Sequence, residues 1–272
     1  MKERYDIVII GGGMAGISAA LTARNRGKTA ALIANPAETT SIYRAEKVTN
    51  YPGMYGLDGK TIAEKLIEEA RLSGTDVIYG KALSVMPLGE DFGVAVGCEF
   101  TMCSAVILAP GITREKLYPG ESEFLGRGVS YCATCDGMLY RGKTVAVVGN
   151  NKEAEDDAAF LENIGCRVIR LTENLPYEIK GGMKADTITA GTAEYKTDCV
   201  FIIKTSISVA MLAPGVEYEN GAIKVTDRME TAVPGIFAAG DCTGKPYQLS
   251  KAAGEGNLAA LSACEYIDKK GE

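Results

Sequence analysis

The chain has 272 residues, 46% hydrophobic and 24% charged, with a net charge of −6. That composition suits one large or two modest folded domains, and the negative balance, without a long Lys/Arg run, argues against a nucleic-acid partner. Histidine is absent, which removes a histidine base and histidine metal ligation, and no apolar run approaches the ~20 residues that span a bilayer.

The first strand-like run, Tyr5 to Ile10, leaves no room ahead of it for a signal peptide, so a cytoplasmic location is expected. Gly11-Gly12-Gly13-Met14-Ala15-Gly16 follows, then an Ala-rich helix to about Arg24, a stop at Gly27, and a second buried strand, Thr29 to Ala34. This is a βαβ opening unit whose G-x-G-x-x-G is Gly11, Gly13 and Gly16. The first glycine permits the tight turn, the second lets a pyrophosphate approach the backbone, and the third lets helix and strand pack closely. The pattern is weak alone and strong in this strand–turn–helix setting; a plain tight turn is the alternative. Asn35 stands where an acidic residue often holds a ribose.

Thr61 to Leu72 reads as an amphipathic helix with Ile62, Leu66 and Ala70 on one face. Val77 to Tyr79, Val94 to Val96 and Ala105 to Ala109 read as strands, and Ile112 to Gly120 as a linker. Thr144 to Val148 then begins a second strand–turn–helix–strand, with a helix over Glu153 to Asn163 and a strand over Arg167 to Leu171. A further linker near Thr231 to Pro234 leads to Gly235-to-Asp241 and a final helix from about Lys251 to Tyr266.

Of the eight cysteines, only Cys132 and Cys135 form a CxxC. Redox or metal chemistry follows from that spacing, but a zinc site usually needs a second matched pair. A CxxC stores two electrons as a dithiol and passes them on by thiol–disulfide exchange. With no histidine, Asp136 is the obvious acid or base for the thiol protons; a turn residue before Gly137 is the equal alternative.

Gly11-to-Gly16, Asn50-Tyr51-Pro52-Gly53, Gly126-to-Ser130, Cys132-Ala133-Thr134-Cys135-Asp136-Gly137 and Gly235-to-Asp241 occur in this order. The set resembles the low-molecular-weight thioredoxin reductases over nearly the whole chain. The resemblance implies an α/β fold of two Rossmann-like nucleotide-binding-type domains, the FAD domain split around a shortened second domain: 1–112, 113–233 and 234–272. It implies FAD, a homodimer and thioredoxin as partner. Cys135 would face the flavin and Cys132 attack the partner; Asp241 would hold the ribityl chain, with Gln248 and Asn50 near the flavin ring. A cap or turn is the alternative for Asp241, and equally so for Gln248 and Asn50.

Departures from the family pattern cluster in the second domain. Gly149 is kept, but Asn151 replaces the second glycine, where a Cβ should crowd a pyrophosphate. Leu171-Thr172-Glu173-Asn174 stands where the family has arginines for a 2′-phosphate, and Glu173 would repel it. Lys204-Thr205-Ser206-Ile207 replaces a Gly-x-x-Pro-Asn segment, and the Cys135-to-Asp241 stretch is short for the family. NADPH binding is therefore expected to be lost. The chain resembles the ferredoxin-dependent flavin thioredoxin reductases, which implies reduced ferredoxin as donor, met by a basic patch drawn from Arg44, Lys47, Lys245 and Lys251. The rivals are an NADPH-dependent reductase with a divergent site and a flavin-binding redox sensor without turnover.

Overall fold

The computed structural model describes residues 1–111, 117–172, 175–203, 209–219 and 221–271. The chain divides into two compact units: Met1–Thr113 with Val209–Glu272, and Arg114–Ser208. The first crossing falls in the expected linker. The second lies upstream of the expected boundary at 234. Thr231–Pro234 is not a linker but a turn within the first unit, closed by hydrogen bonds from the Thr231 N–H and hydroxyl to the Ile236 carbonyl at 3.1 and 2.8 Å. Glu173, Asn174, the 204–207 segment and part of the first linker (112–116) lie outside the described residues.

The first unit is built on a seven-stranded sheet. Asp76–Tyr79, Ala30–Ala34, Arg4–Ile10 and Glu99–Leu108 run parallel, in that order. Asp91–Val96 and Ala82–Leu88 then continue the sheet antiparallel. The ten-residue strand Glu99–Leu108 changes neighbour along its length. Its first half pairs with Asp91–Val96, and its second half, from Val106, pairs with Ile236–Ala238. The last short strand thereby delivers the segment after it to the same sheet end as Gly11. Ile7, Val8, Ile9, Leu32, Val106, Ile107 and Leu108 are fully buried, the continuous apolar pattern of strands covered on both faces.

Three helices cover this sheet. Met14–Asn25 carries Ala15, Ala19, Ala20 and Ala23 inward and packs on the C-terminal helix Leu249–Lys270, which is longer than the sequence suggests. Small residues permit the approach: a Cβ on Gly256 would lie 2.0 Å from the Ala15 carbonyl oxygen. Gly59–Leu72 buries Ile62, Leu66 and Ala70 as its periodicity predicts, and Asp58 caps it by accepting from the Thr61 N–H at 2.9 Å.

The second unit holds a four-stranded parallel sheet in the order Val129–Ser130, Cys199–Ile202, Thr144–Val148, Arg167–Leu171. The helix Lys152–Asn163 follows the central strand Thr144–Val148, the Rossmann-like arrangement expected. A three-stranded antiparallel sheet, Tyr177–Gly181, Ala185–Ala190 and Ala193–Lys196, was not evident from the sequence. Its strands are short, and the first buries only alternate residues, Tyr177 and Ile179.

Candidate active site

At the first βα turn the three glycines are required for different reasons. Gly11 has φ +121°, and a Cβ there would lie 2.0 Å from the Ala109 carbonyl oxygen. A Cβ on Gly16 would lie 1.8 Å from the Gly11 carbonyl oxygen. Gly13 is different: nothing lies within 4 Å of a Cβ built on it. The fold does not need a glycine at 13, so the open space is available to a ligand. Gly13 is also the N-cap of Met14–Asn25, where no side chain caps the helix and no acidic residue occupies the first turn. Uncapped amides beside open space fit a pyrophosphate.

The segment after Ile236–Ala238 turns at Gly240, φ +88°, into a single 3₁₀ turn, Asp241–Thr243. Burial raises the Asp241 carboxyl above its ordinary range, with Lys251 opposing. Glu255 braces the turn, accepting from the Gly240 N–H at 2.8 Å, the Thr243 hydroxyl at 2.8 Å and Lys251 Nζ at 2.9 Å. Lys251 Nζ also donates to the Gly240 carbonyl at 2.9 Å. Lys251, expected in an exposed basic patch, is therefore an internal brace, its side chain only 16% exposed. Arg44, Lys47 and Lys245 are exposed. Asn50 and Gln248, nearly two hundred positions apart, meet directly: Asn50 Nδ2 donates to Gln248 Oε1 at 2.8 Å. Both are exposed, which leaves this pair accessible to a ligand. Lys251 and Glu255 are four residues apart on the final helix, so their pairing has a local signal, but their contacts to Gly240 and Thr243 and the Asn50–Gln248 bond have none.

In the second unit Cys132 and Cys135 form a disulfide at the start of the short helix Ala133–Asp136. Cys132 Sγ accepts from the Cys135 N–H at 3.2 Å. This amide would help stabilise the sulfur as a thiolate once the disulfide opens. Both cysteines are half-buried and Asp136 likewise. Ser130, at the end of Val129–Ser130, lies between them. Its Oγ accepts from the Cys132 N–H at 3.1 Å and donates to Asp136 Oδ2 at 2.7 Å. Ser130 belongs to the Gly126-to-Ser130 motif, and in the sequence only its nearness to the CxxC signals a role.

The second βα turn differs from the first. Gly149 remains close-packed, with a Cβ there meeting the Ile203 carbonyl oxygen at 2.7 Å. Asn151 is the N-cap of Lys152–Asn163: its Oδ1 accepts from the Ala154 N–H at 2.8 Å, and its Nδ2 donates to the Ile203 carbonyl at 3.4 Å. Glu153 and Glu155 occupy the first turn. The sequence suggests a steric conflict at Asn151; the structure adds a hydrogen-bonding one, because the side chain already takes an amide that a phosphate would need.

Five buried cysteines, Cys103, Cys166, Cys199, Cys242 and Cys264, are thiols. Burial pushes Cys199 and Cys242 up to about 12, which keeps them unreactive. Among the described residues no helix is long and apolar enough to cross a membrane.

Comparison with known proteins agrees with this geometry. The family model described as pyridine nucleotide-disulphide oxidoreductase matches residues 5–185 and 171–256. Thioredoxin reductase of Bacillus subtilis (strain 168) is 32% identical over 304 residues, covering 98% of this chain and 96% of that protein. Thioredoxin reductase of Treponema pallidum (strain Nichols) is 33% identical over 303 residues, covering 98% and 99%. A crystal structure of a ferredoxin-flavin thioredoxin reductase from Clostridium acetobutylicum superposes with a TM-score of 0.91 at 39% identity, covering 99% of both chains. Homologues in this family are FAD-binding flavoproteins. The chain belongs to the pyridine nucleotide-disulphide oxidoreductase family and, within it, to the thioredoxin reductases.

Proposed function

We propose that this chain is a ferredoxin-dependent flavin thioredoxin reductase, a cytoplasmic homodimer that takes electrons from reduced ferredoxin rather than NADPH. The observation that carries the choice of donor is the self-capped helix at Asn151. A dinucleotide pyrophosphate needs free amides at a helix N-terminus. Here Asn151 occupies the Ala154 amide, and Glu153 and Glu155 set negative charge where two phosphates would sit. The similarity to a ferredoxin-flavin thioredoxin reductase supports the same donor. Ferredoxins of the plant type lie at about −400 mV and thioredoxin near −270 mV, so two-electron transfer is downhill by about 6 kcal/mol. The five buried thiols suit a reducing compartment.

The turn shaped by Gly11 and Gly16, with Gly13 and the amides after it, would hold the FAD pyrophosphate; Asp241 would take the ribityl hydroxyls, and Asn50 and Gln248 would hold the flavin. Bound FAD supplies the two electrons that open the Cys132–Cys135 disulfide. The Cys132 thiolate attacks the partner disulfide and forms a mixed disulfide. The Cys135 thiolate then attacks Cys132 Sγ, releasing the partner as a dithiol. Asp136 takes the proton from the attacking thiol and returns one to the leaving sulfur.

Gly149 keeps the first glycine of a dinucleotide turn, which favours a second reading, an NADPH-dependent reductase with a divergent site. Anaerobic mixing of the purified protein with NADPH, NADH and reduced ferredoxin separates the two. Flavin bleaching by ferredoxin alone, followed by thioredoxin reduction, is expected. Bleaching by NADPH at turnover rates, with none by ferredoxin, would establish the second reading, and bleaching without any thioredoxin turnover would leave a redox sensor.

A further inference from the structure

We propose that Ser130 is a positioning residue for disulfide exchange, holding the Asp136 carboxylate in register with Cys132. The inference rests on the reading of Asp136 as the acid–base group and deepens it. A serine hydroxyl has one proton to donate. The Ser130 Oγ lies 2.7 Å from Asp136 Oδ2 and 3.3 Å from the Cys132 carbonyl oxygen, so the proton goes to the carboxylate. The lone pairs of the same oxygen receive the Cys132 N–H at 3.1 Å. Asp136 is tied a second way, its N–H donating to the Cys132 carbonyl at 3.2 Å. The hydroxyl of one buried residue, 6% exposed, thus connects the backbone of one redox cysteine to the carboxylate following the other.

Two consequences follow for the exchange step. A carboxylate on a short helical turn can rotate about its side-chain torsions toward solvent. A charge-assisted hydrogen bond from a buried partner holds it in one orientation. Ser130 uses only one of the two carboxylate oxygens, Oδ2, and so does not occupy Oδ1. The balance of the reaction is unchanged: the enzyme dithiol gives two electrons and two protons, one sulfur–sulfur bond forms between Cys132 and Cys135, and the partner's sulfur–sulfur bond breaks to two thiols. Ser130 neither gains nor loses a proton overall. The strand Val129–Ser130 fixes it through parallel pairing with Cys199–Ile202, so its position does not depend on the state of the disulfide.

The test is single-turnover reduction of thioredoxin by chemically pre-reduced holoenzyme, comparing Ser130→Ala, Asp136→Asn and the double variant. Ser130→Ala should slow exchange about tenfold, and Asp136→Asn more, with Ser130→Ala adding less than about twofold in the Asp136→Asn background. Ser130→Thr keeps the hydroxyl and should recover the parent rate to within about twofold. A full-rate Asp136→Asn variant would overturn the acid–base reading and this inference with it. A slow Asp136→Asn with a full-rate Ser130→Ala would overturn the Ser130 assignment alone. So would two effects that multiply in full, or a Ser130→Thr as slow as Ser130→Ala, since a merely structural role would give either.

Discussion

The two βα turns of this chain start from nearly the same design and end with differently capped helices. Both follow a buried parallel strand, Arg4–Ile10 in one and Thr144–Val148 in the other, and both begin with a close-packed glycine. The third position decides. Gly13 leaves open space and an uncapped helix with no acidic residue in its first turn. Asn151 fills the equivalent place with a carboxamide that caps its own helix, and Glu153 and Glu155 follow. A helix N-terminus satisfied from within has less to offer a phosphate. The second unit keeps the scaffold of a dinucleotide domain while its chemistry resides elsewhere, in the loop that carries Cys132 and Cys135.

The largest expected effect sharpens this contrast by removing the chemistry of the second unit. Cys132→Ser should leave flavin reduction intact and lower thioredoxin turnover by at least about 10³-fold, because the sulfur that attacks the partner disulfide is gone and Cys135 alone cannot complete a two-electron exchange. Cys135→Ser should abolish turnover to the same degree by blocking entry of electrons into the pair. Steady-state thioredoxin reduction by both variants at the parent rate would show that the dithiol is not the relay.

Next in size is a substitution that makes the first turn resemble the second. Gly13→Asn places a capping side chain where a Cβ meets nothing within 4 Å, on a backbone already in the extended N-cap conformation at φ −86° and ψ −173°. FAD affinity should fall on the order of 10²-fold, read by flavin retention on gel filtration, while apo-protein stability holds or rises by about 1 kcal/mol from the new cap. Undiminished flavin retention would break the comparison, since it would mean that the open space at Gly13 is not where the pyrophosphate lies.

A smaller effect is expected at Asn151. Asn151→Ala removes the acceptor for the Ala154 N–H and should cost about 1 kcal/mol in urea unfolding of the second unit. It should not restore reduction by NADPH, because Glu153 and Glu155 remain. Smallest is the electrostatic effect on the donor. Arg44→Glu with Lys47→Glu should slow reduction by ferredoxin several-fold at low salt, and the parent rate should itself fall as salt rises. A parent rate independent of ionic strength would remove the basic patch from the account.

The parts of the site legible in the sequence are those whose chemistry is local. Gly11, Gly13 and Gly16 can be read because backbone geometry fixes their spacing, and Cys132 with Cys135 because a four-residue turn suffices to join the sulfurs. The sequence also places Asn151 where a glycine is needed, although its role as a cap requires the helix start to be known. What could not be read depends on tertiary contact. Asn50 finds Gln248 only through the folded first unit. Lys251 looks like a surface cation until Gly240, Thr243 and Glu255 are seen to enclose it. The return to the first unit at Val209, upstream of Pro234, falls a few residues before Pro214-Gly215 rather than on it, so that break does not mark the crossing itself. Ser130 is an ordinary strand residue until the turn of Ala133–Asp136 brings the carboxylate back to it.

The most direct test of the central claim is equilibrium dialysis of the oxidised holoenzyme against NADPH, with flavin content measured on the same sample. One FAD per chain and no saturable NADPH binding up to about 1 mM is the result that unequal turns require. One FAD together with a second dinucleotide bound at micromolar levels would contradict it, because the helix capped by Asn151 would then be accepting a pyrophosphate after all.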